Sequence, residues 1–365
     1  MKRLLRAILL PLLLISPALA VDPIRDQMAA LDIDSVEDAV PQDARTLLGD
    51  LSVDVGADYG GHFARMLRSA WPRLVPWIRE GFSLVLRTVA VLLLCGIARS
   101  VLPDGKGPFL TAAGTAALAI VLFSDAHSLF TLARETIGKI SLFSRILLPV
   151  LVSAGAASGA VVSAGPRYAA AAFVSGSVIR LLDGLAVPAI YCHMALAAVQ
   201  SLSGDETAGR LAAAIKSTTG SVLKTVLTLT MAYFSLTGIL SGTADAMTLK
   251  TARLALSTGI PVLGGILSDA AGAVLTAARL IRNALGAFGI LAMTAAALLP
   301  LARIGVRYLL FRFAAALSAL SGDPALIRFV DSAADAMGLL LGLCGTCMLL
   351  LLLAILACMT LGGFV

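Results

Sequence analysis

The chain has 365 residues, of which 59% are hydrophobic and 14% charged, and its formal net charge is +6. A soluble domain carries roughly a quarter charged residues, and its core cannot absorb this much apolar surface. The composition therefore predicts an all-α, polytopic transmembrane helical bundle. It argues against a soluble enzyme, a disulfide-stapled secreted module and a nucleic-acid-binding protein, since the basic residues are scattered rather than clustered.

Residues 1–20 are typical of an export signal. Lys2 and Arg3 precede an apolar stretch that ends in the small-x-small pattern of Ala18 and Ala20, which a signal peptidase accepts. The apolar stretch is short for a membrane span of ~20 residues, which favours cleavage after Ala20 over an uncleaved anchor. We therefore expect the mature N-terminus to lie outside the cytoplasm.

Residues 21–60 form an acidic segment after the signal. They contain ten acidic residues, only two arginines (Arg25 and Arg45), and no lysine. Because cytoplasmic loops collect Lys and Arg, this composition fits the exported side of the membrane. The pattern favours a solvated, partly disordered leader over a partner-binding arm.

Residues 61–82 interleave basic and apolar side chains directly before the first long apolar run. Both tryptophans of the chain, Trp71 and Trp77, lie here, and tryptophan prefers the headgroup layer of a bilayer. We expect an interfacial amphipathic segment in which Pro72 and Pro76 prevent one smooth helix.

Apolar runs divide residues 83–362 into candidate membrane spans, with six to eight crossings in total. The runs 168–202 and 284–320 exceed one span, so each is expected to contain a hairpin or a span with an in-plane piece. Pro261 interrupts another apolar stretch, 256–280, which predicts a broken or re-entrant helix. The candidate spans are 83–102, 109–126, 146–165, 168–202, 220–243, 284–320 and 336–362.

The membrane domain contains a weak internal repeat. A Pro-Val-Leu sequence begins at Pro149 and again at Pro261, and both are followed by small residues. We interpret residues 146–243 and 258–362 as two related halves. Paired halves with interrupted helices are how many transporters build a site near the bilayer midplane.

The orientation of the two halves is open between inverted and parallel. Each half contains a Ser-Gly-Asp sequence, which opens the segments 203–224 and 321–335. The first segment has three basic and two acidic residues, and the second has one and three. This difference hints that the two segments lie on opposite sides of the membrane.

Motifs for catalysis and cofactor binding are missing from the sequence, which has no clustered metal ligands, nucleotide-binding loop or nucleophile elbow. Cys344 and Cys347 have redox spacing, but their apolar surroundings favour small packing residues. The apolar run around His193 likewise favours a role in helix packing for this residue. We expect no catalytic residue, cofactor or metal, so any energy source is a partner or an ion gradient.

Charges inside apolar runs are the remaining site candidates, because burying a charge in lipid is costly. Asp269 is equally consistent with a structural Asp–Arg pair and with a residue that lines a conduit. For Arg87 and Arg307 the sequence favours side chains that reach the interface. The charged candidates are Arg87, Asp183, Asp245, Asp269, Arg282 and Arg307.

Residues 244–290 carry a family resemblance, supported by the overall layout and by Leu148-Pro149-Val150-Leu151 upstream. They resemble the stage III sporulation protein AE family through Asp245-Ala-Met-Thr-Leu-Lys-Thr-Ala-Arg253, Ile260-Pro261-Val-Leu-Gly264-Gly265-Ile-Leu-Ser-Asp269, Ile281-Arg282-Asn283-Ala284, Gly286 and Gly289. Arginine stands at 253 and 282 where the family often has lysine, which preserves the charge.

The resemblance implies a non-enzymatic membrane subunit of a channel or secretion-like complex between mother cell and forespore, needed for late forespore development. It implies a place in the mother-cell-derived membrane, within the lipid bilayer. The implied partners are a secretion-type ATPase, ring-forming sibling proteins and a forespore-side protein, with no nucleic acid.

Two other functions are weighed against this one. The alternative is a self-contained secondary transporter with two related halves, and an intramembrane enzyme is disfavoured by the missing residue clusters. The candidate structural or conduit residues are Pro149, Pro261, Gly264, Gly265, Asp269, Arg282, Asn283 and Asp245.

Overall fold

The computed structural model shows a helical protein with no strand in any of the ranges that it describes. These ranges are residues 23–49, 52–54, 56–101, 107–259 and 264–359. Residues 237–259 and 264–271 are described by their helical backbone and not by their side chains. The predicted signal segment, with Ala18 and Ala20, and the predicted helix breaker Pro261 lie outside the described residues.

Three short helices precede six long helical stretches in these ranges. The short helices are α1 (Pro23–Ala30), α2 (Ile33–Asp38) and α3 (Gln42–Leu48). The long stretches are α4 (Tyr59–Val101), α5 (Gly107–Ala157), α6 (Val161–Phe173) continuing through a π-helical turn (Val174–Val178) into α7 (Ile179–Ser203), α8 (Glu206–Gly259), α9 (Gly264–Leu317) and, after a 3₁₀ turn (Ser318–Ser321), α10 (Pro324–Met359).

Five helical stretches in the described ranges are long and apolar enough to cross a membrane. They are Tyr59–Val101, Gly107–Ala157, Ala164–Ser203, Val274–Leu317 and Pro324–Met359. The prediction of an all-α polytopic membrane bundle is therefore confirmed.

Several apolar runs are organised differently from the sequence-based prediction. The runs 168–202 and 284–320 contain no hairpin, since residues 161–203 and 264–317 are each continuously helical. Pro188 and Pro300 lie inside these helices. Membrane helices tolerate proline because neighbouring helices can satisfy the backbone groups that it leaves without a hydrogen bond. Runs 109–126 and 146–165 are joined, because α5 continues through the polar residues between them to Ala157.

The expectation that Pro72 and Pro76 interrupt the helix is wrong. Both prolines lie inside α4, which runs unbroken for 43 residues. Each proline removes a backbone donor, but both side chains lie on the exposed surface of α4, and the helix continues through them. Trp71 is 72% exposed on the surface of α4, and the interfacial position of residues 61–82 stays a prediction.

The acidic leader is also more ordered than its composition predicted. Ile33, Val36 and Leu47 of α2 and α3 are buried in the same apolar core as the long helices. Lys139 Nζ of α5 lies 2.5 Å from Asp43 Oδ2 of α3. Residues 23–48 therefore pack against the bundle rather than forming a solvated, disordered arm, because regularly spaced apolar side chains anchor them.

The last helix, α10, is the centre of the bundle. It packs against α5, α6, α7, α8 and α9. Leu340, Leu343, Cys347 and Leu350 are among its fully buried side chains. Membrane helices associate through such close van der Waals packing, because lipid supplies little hydrophobic driving force between them.

The two Ser-Gly-Asp sequences form closely similar turns. Gly204 and Gly322 both adopt left-handed backbone conformations, with φ of 70° and 62°, which glycine adopts without strain. Asp205 Oδ1 then accepts a hydrogen bond from the Thr207 N–H at 2.8 Å. Asp323 Oδ1 does the same for the Ala325 N–H at 2.9 Å, so each aspartate caps the following helix.

Both turns lie at the same end of the bundle. Ser201 Oγ beside the first turn is 2.7 Å from Thr115 Oγ, and Thr111 Oγ1 donates a hydrogen bond to Asp323 of the second turn. Thr111 and Thr115 both belong to the first turns of α5. The charge hint that placed the two segments on opposite sides is therefore wrong.

The helices that follow these turns pack parallel and in register. Lys216 Nζ of α8 lies 2.5 Å from Asp335 Oδ2 of α10. Gly220 faces Leu339, and Leu223 faces Gly342, so all three contacts join residues 119 positions apart. This register agrees with a parallel arrangement of two related hairpins, while the duplication itself stays a prediction.

Gly289 allows α9 to approach α5. A Cβ at this position would collide with Leu147 Cδ2, and Leu147 is fully buried, so it has little room to move. We expect Gly289→Leu to lower the free energy of unfolding by about 2 kcal/mol, as overpacking does in a filled core. Thermal unfolding in detergent measures this change.

Gly305 on the same helix is the matched control. A Cβ there would meet no atom within 4 Å. Gly305→Leu should shift the unfolding midpoint by no more than about one or two degrees, because a substitution that creates no clash has only a small effect on stability. Equal losses in both variants would contradict close packing at Gly289.

Candidate functional site

A cluster of charges joins three membrane helices. Arg307 Nη1 of α9 lies 3.1 Å from Asp125 Oδ1 of α5, and the two side chains are only 10% and 16% exposed. Glu80 of α4 lies 4.0 Å from Arg307 Nη2 and 3.8 Å from Arg303 Nη2. We call these four residues the Asp125 cluster. Breaking the buried pair of Arg307 and Asp125 is costly because it leaves an unpaired charge, whereas Glu80 and Arg303, 56% and 39% exposed, contribute little.

The close approach of α4 to α9 depends on Gly81. A Cβ at this position would collide with Leu310 Cδ1 and would lie 3.5 Å from Arg307 Nη1. Glycine at position 81 therefore leaves the space that the side chains of Arg307 and Leu310 occupy.

The Asp125 cluster borders a polar cavity of about 440 Å³. Ser83, Ser124, Ser128 and Arg87 line it together with Glu80, Asp125 and Arg307. Within the described part of the chain, the buried Oδ2 of Asp125 has no hydrogen-bond partner. Liquid water occupies ≈ 30 Å³ per molecule, so the cavity has room for several waters near this carboxylate. The arrangement suits a hydrated, charge-paired site.

Asp125 was not among the charged candidates from the sequence. The side chain of Arg307 is only 10% exposed because α5 supplies this carboxylate opposite it, so the structure places Arg307 in an ion pair between helices. Arg87, in contrast, is exposed. Asp125 lies within the predicted span 109–126, so the criterion of a charge in an apolar run would have found it.

Two buried arginines lie at the end of the bundle opposite the two Ser-Gly-Asp turns. Arg282 of α9 is 8% exposed, and its Nη1 donates a hydrogen bond to Ser158 Oγ at 3.0 Å. Arg167 of α6 is 1% exposed, and its Nη1 donates to the carbonyl oxygen of Ala357 at 2.9 Å. That carbonyl lies in the last turn of α10, where helix geometry leaves carbonyl groups without intrahelical partners.

The other predicted site residues are dispersed. Pro149 lies inside α5, and Gly264 and Gly265 begin α9. Asn283 is exposed next to the buried Arg282. Asp245 and Asp269 are helical residues of α8 and α9 whose side chains lie outside the described part, as does Pro261, so their role as a conduit or an Asp–Arg pair stays a prediction.

His193 bridges three helices. Its Nδ1 lies 2.9 Å from the carbonyl oxygen of Ala212 in α8, and its Nε2 lies 3.2 Å from that of Ser332 in α10. The imidazole is 2% exposed. Cys344 and Cys347 are buried free cysteines in α10. These positions agree with the packing roles that the sequence favoured for these residues.

Comparison with known proteins identifies the family. A family model described as stage III sporulation protein AE matches residues 79–362. Stage III sporulation protein AE of Bacillus subtilis (strain 168) is 27% identical over 208 residues, which cover 57% of this chain and 52% of that protein. The matched part of the chain thus spans about half the length of this relative. No solved structure matches the chain.

The family match and the geometry describe the same part of the molecule. Residues 79–362 include the second half of α4 and every later helix up to α10. They also include the Asp125 cluster and the buried arginines at the other end. Because the match covers the membrane bundle and more than half of the sequence, the chain belongs to the stage III sporulation protein AE family.

Proposed function

We propose that this chain is a non-enzymatic membrane subunit of a channel or secretion-like complex between mother cell and forespore, needed for late forespore development. The family match over residues 79–362 carries the proposal. The chain would lie in the mother-cell-derived membrane around the forespore, with its mature N-terminus on the exported side. A secretion-type ATPase, ring-forming sibling proteins and a forespore-side protein are the proposed partners.

Ion pairs between helices support a fixed structural subunit. Arg99 Nη1 of α4 lies 2.9 Å from Asp323 Oδ2 beside α10. Asp335 of α10 receives both Lys216 Nζ of α8 at 2.5 Å and Arg312 Nη2 of α9 at 2.6 Å. The two carboxylates are 9% and 16% exposed, whereas their cationic partners are 42% to 46% exposed, so each pair is partly screened. Their number at one end of the bundle favours a fixed arrangement of the helices there.

A self-contained secondary transporter is the second candidate. The polar cavity beside Asp125 and the two parallel hairpins favour it, since transporters contain polar sites within the bundle and are often built from related halves. Purified protein in liposomes distinguishes the two functions. Solute flux without sibling proteins would support the transporter, whereas obligate co-purification with them would support the subunit.

In-frame deletion of the gene in the native spore-former tests the proposed subunit. We expect normal vegetative growth and arrest or collapse of forespores after engulfment, scored by microscopy, because the complex would act only at that stage. Normal spores would contradict the proposal, and a solute-dependent growth defect alongside them would favour the transporter. Complementation with the unchanged gene is the control for the deletion.

A further inference from the structure

Three arginines converge on a pocket between α5 and α7. The pocket has a volume of about 280 Å³ and is lined by Arg134, Arg145, Arg180 and Asp183. Arg134 Nε lies 3.5 Å from Asp183 Oδ1. Arg145 and Arg180 form no ion pair within the described ranges. We call these four residues the arginine pocket, and its net charge is positive because three guanidinium groups face one carboxylate.

The arginine pocket lies where the helix beside it changes its hydrogen-bonding pattern. Ser141, which lines the pocket, donates a hydrogen bond from Oγ to the carbonyl oxygen of Ser175 at 3.1 Å. Ser175 belongs to the π-helical turn Val174–Val178 between α6 and α7. Single π-helical turns inside α-helices are frequent at functional sites.

An apolar groove adjoins the arginine pocket across α7. The groove has a volume of about 580 Å³, and Phe173, Leu181, Leu229 and Tyr233 are among the residues that line it. Phe173, Leu181 and Leu229 are 62%, 60% and 64% exposed. Arg180 lines the arginine pocket and its neighbour Leu181 lines the groove, so the two openings flank α7 at the same level along the helix.

The depth of the arginine pocket suits a lipid headgroup. The 51 residues of α5 extend about 77 Å at 1.5 Å per residue, whereas the hydrocarbon core of a bilayer is ≈ 30 Å thick. Part of α5 therefore extends beyond the hydrocarbon. Arg134 and Arg145 lie between its apolar runs 109–126 and 146–165, as expected of residues at a headgroup layer.

We propose that the arginine pocket binds the phosphate group of an anionic phospholipid whose acyl chain lies in the adjoining groove. Guanidinium groups bind phosphate through charge-assisted, bidentate hydrogen bonds. Basic pockets between membrane helices are suited to anionic headgroups. The adjoining groove selects a lipid over free phosphate, because free phosphate has no apolar part to bury there. This inference does not depend on the proposed function.

Binding of phosphatidylglycerol to the purified full-length protein tests the proposal. Native mass spectrometry in neutral detergent should show tighter binding of phosphatidylglycerol than of phosphatidylcholine. Arg145→Gln/Arg180→Gln should weaken phosphatidylglycerol binding by about thirtyfold, since two basic contacts are lost. Arg210→Gln/Arg328→Gln removes the same charge from exposed positions elsewhere and should leave binding unchanged. Equal losses in the two double variants would overturn the proposal.

Inorganic phosphate distinguishes the two sources of the phosphate group. A large excess of it should fail to displace phosphatidylglycerol. Displacement of the lipid by phosphate, or phosphate binding as tight as lipid binding, would overturn the proposal and indicate a soluble anion as the ligand. Leu181→Gln/Leu229→Gln leaves the arginines in place and should weaken lipid binding, which provides a separate test if the arginine variant does not fold. Unchanged lipid binding in a folded groove variant would also overturn the proposal.

Discussion

Asp125→Leu is expected to lower the free energy of unfolding by about 3–5 kcal/mol, because it leaves the Arg307 charge buried without its nearest carboxylate. Arg307 is 10% exposed and Asp125 Oδ1 lies 3.1 Å from its Nη1. Glu80, at 4.0 Å and 56% exposed, is too distant and too solvated to replace that contact.

Asp125→Leu/Arg307→Leu should recover most of the loss, because replacing both partners of a buried ion pair by apolar residues is often neutral or stabilising. Unfolding in detergent, followed by helical circular dichroism, measures the wild type, both single variants and the double variant as one cycle. A double variant no more stable than Asp125→Leu would show that the pair is not the source of the loss.

The exposed pair of Glu206 and Arg210 provides the control for charge removal. These side chains are 84% and 83% exposed and 3.5 Å apart on α8. Glu206→Gln should leave the unfolding midpoint unchanged, since solvent screens exposed pairs of this kind. A comparable loss in this variant would mean that net charge, rather than the buried pair, determines stability.

Fold class and family could be predicted from the sequence, whereas the course of individual helices could not. Hydropathy and composition report how much apolar surface a segment presents, and this predicted the membrane bundle. The helix runs through Pro72 and Pro76, although local rules predict that each proline interrupts it. The ordered leader depends on a core that distant segments provide.

The candidate site could be predicted only in part for a similar reason. A charge in an apolar run is visible in the sequence, but its partner is not, because Asp125 and Arg307 are separated by almost half of the chain. Arg282 is visible in the sequence as a charge within an apolar segment, but its burial and its contact with Ser158 are visible only in the three-dimensional structure. The arginine pocket combines residues of α5 and α7, and the contact between these helices is not visible in the sequence.

The segments 203–224 and 321–335 show why loop charges misled the prediction of sidedness. Most of these residues are helical, since α8 begins at Glu206 and α10 at Pro324. Charged residues such as Lys216 and Asp335 therefore pair between helices instead of marking a cytoplasmic or exported loop. The recurring Ser-Gly-Asp sequence was the better guide, because it corresponds to two turns of nearly identical geometry.

These two turns supply a matched pair of variants. Asp205 and Asp323 make the same capping hydrogen bond, but Asp323 also pairs with Arg99 at 2.9 Å and accepts a hydrogen bond from Thr111. We expect Asp205→Ala to lower the free energy of unfolding by about 1 kcal/mol, the usual cost of a lost cap. Asp323→Ala should cost about 3 kcal/mol, because it also removes charge-assisted contacts to α4 and α5.

Asp323→Asn separates the cap from the charge. Asparagine caps helices about as well as aspartate but cannot form the ion pair with Arg99. Thermal unfolding in detergent should therefore place Asp323→Asn between the wild type and Asp323→Ala, while Asp205→Asn should match the wild type. Equal losses for Asp205→Ala and Asp323→Ala would contradict a structural role for the Arg99 contact. The difference in the free energy of unfolding between Asp205→Ala and Asp323→Ala thus measures how strongly the second turn joins α4, α5 and α10.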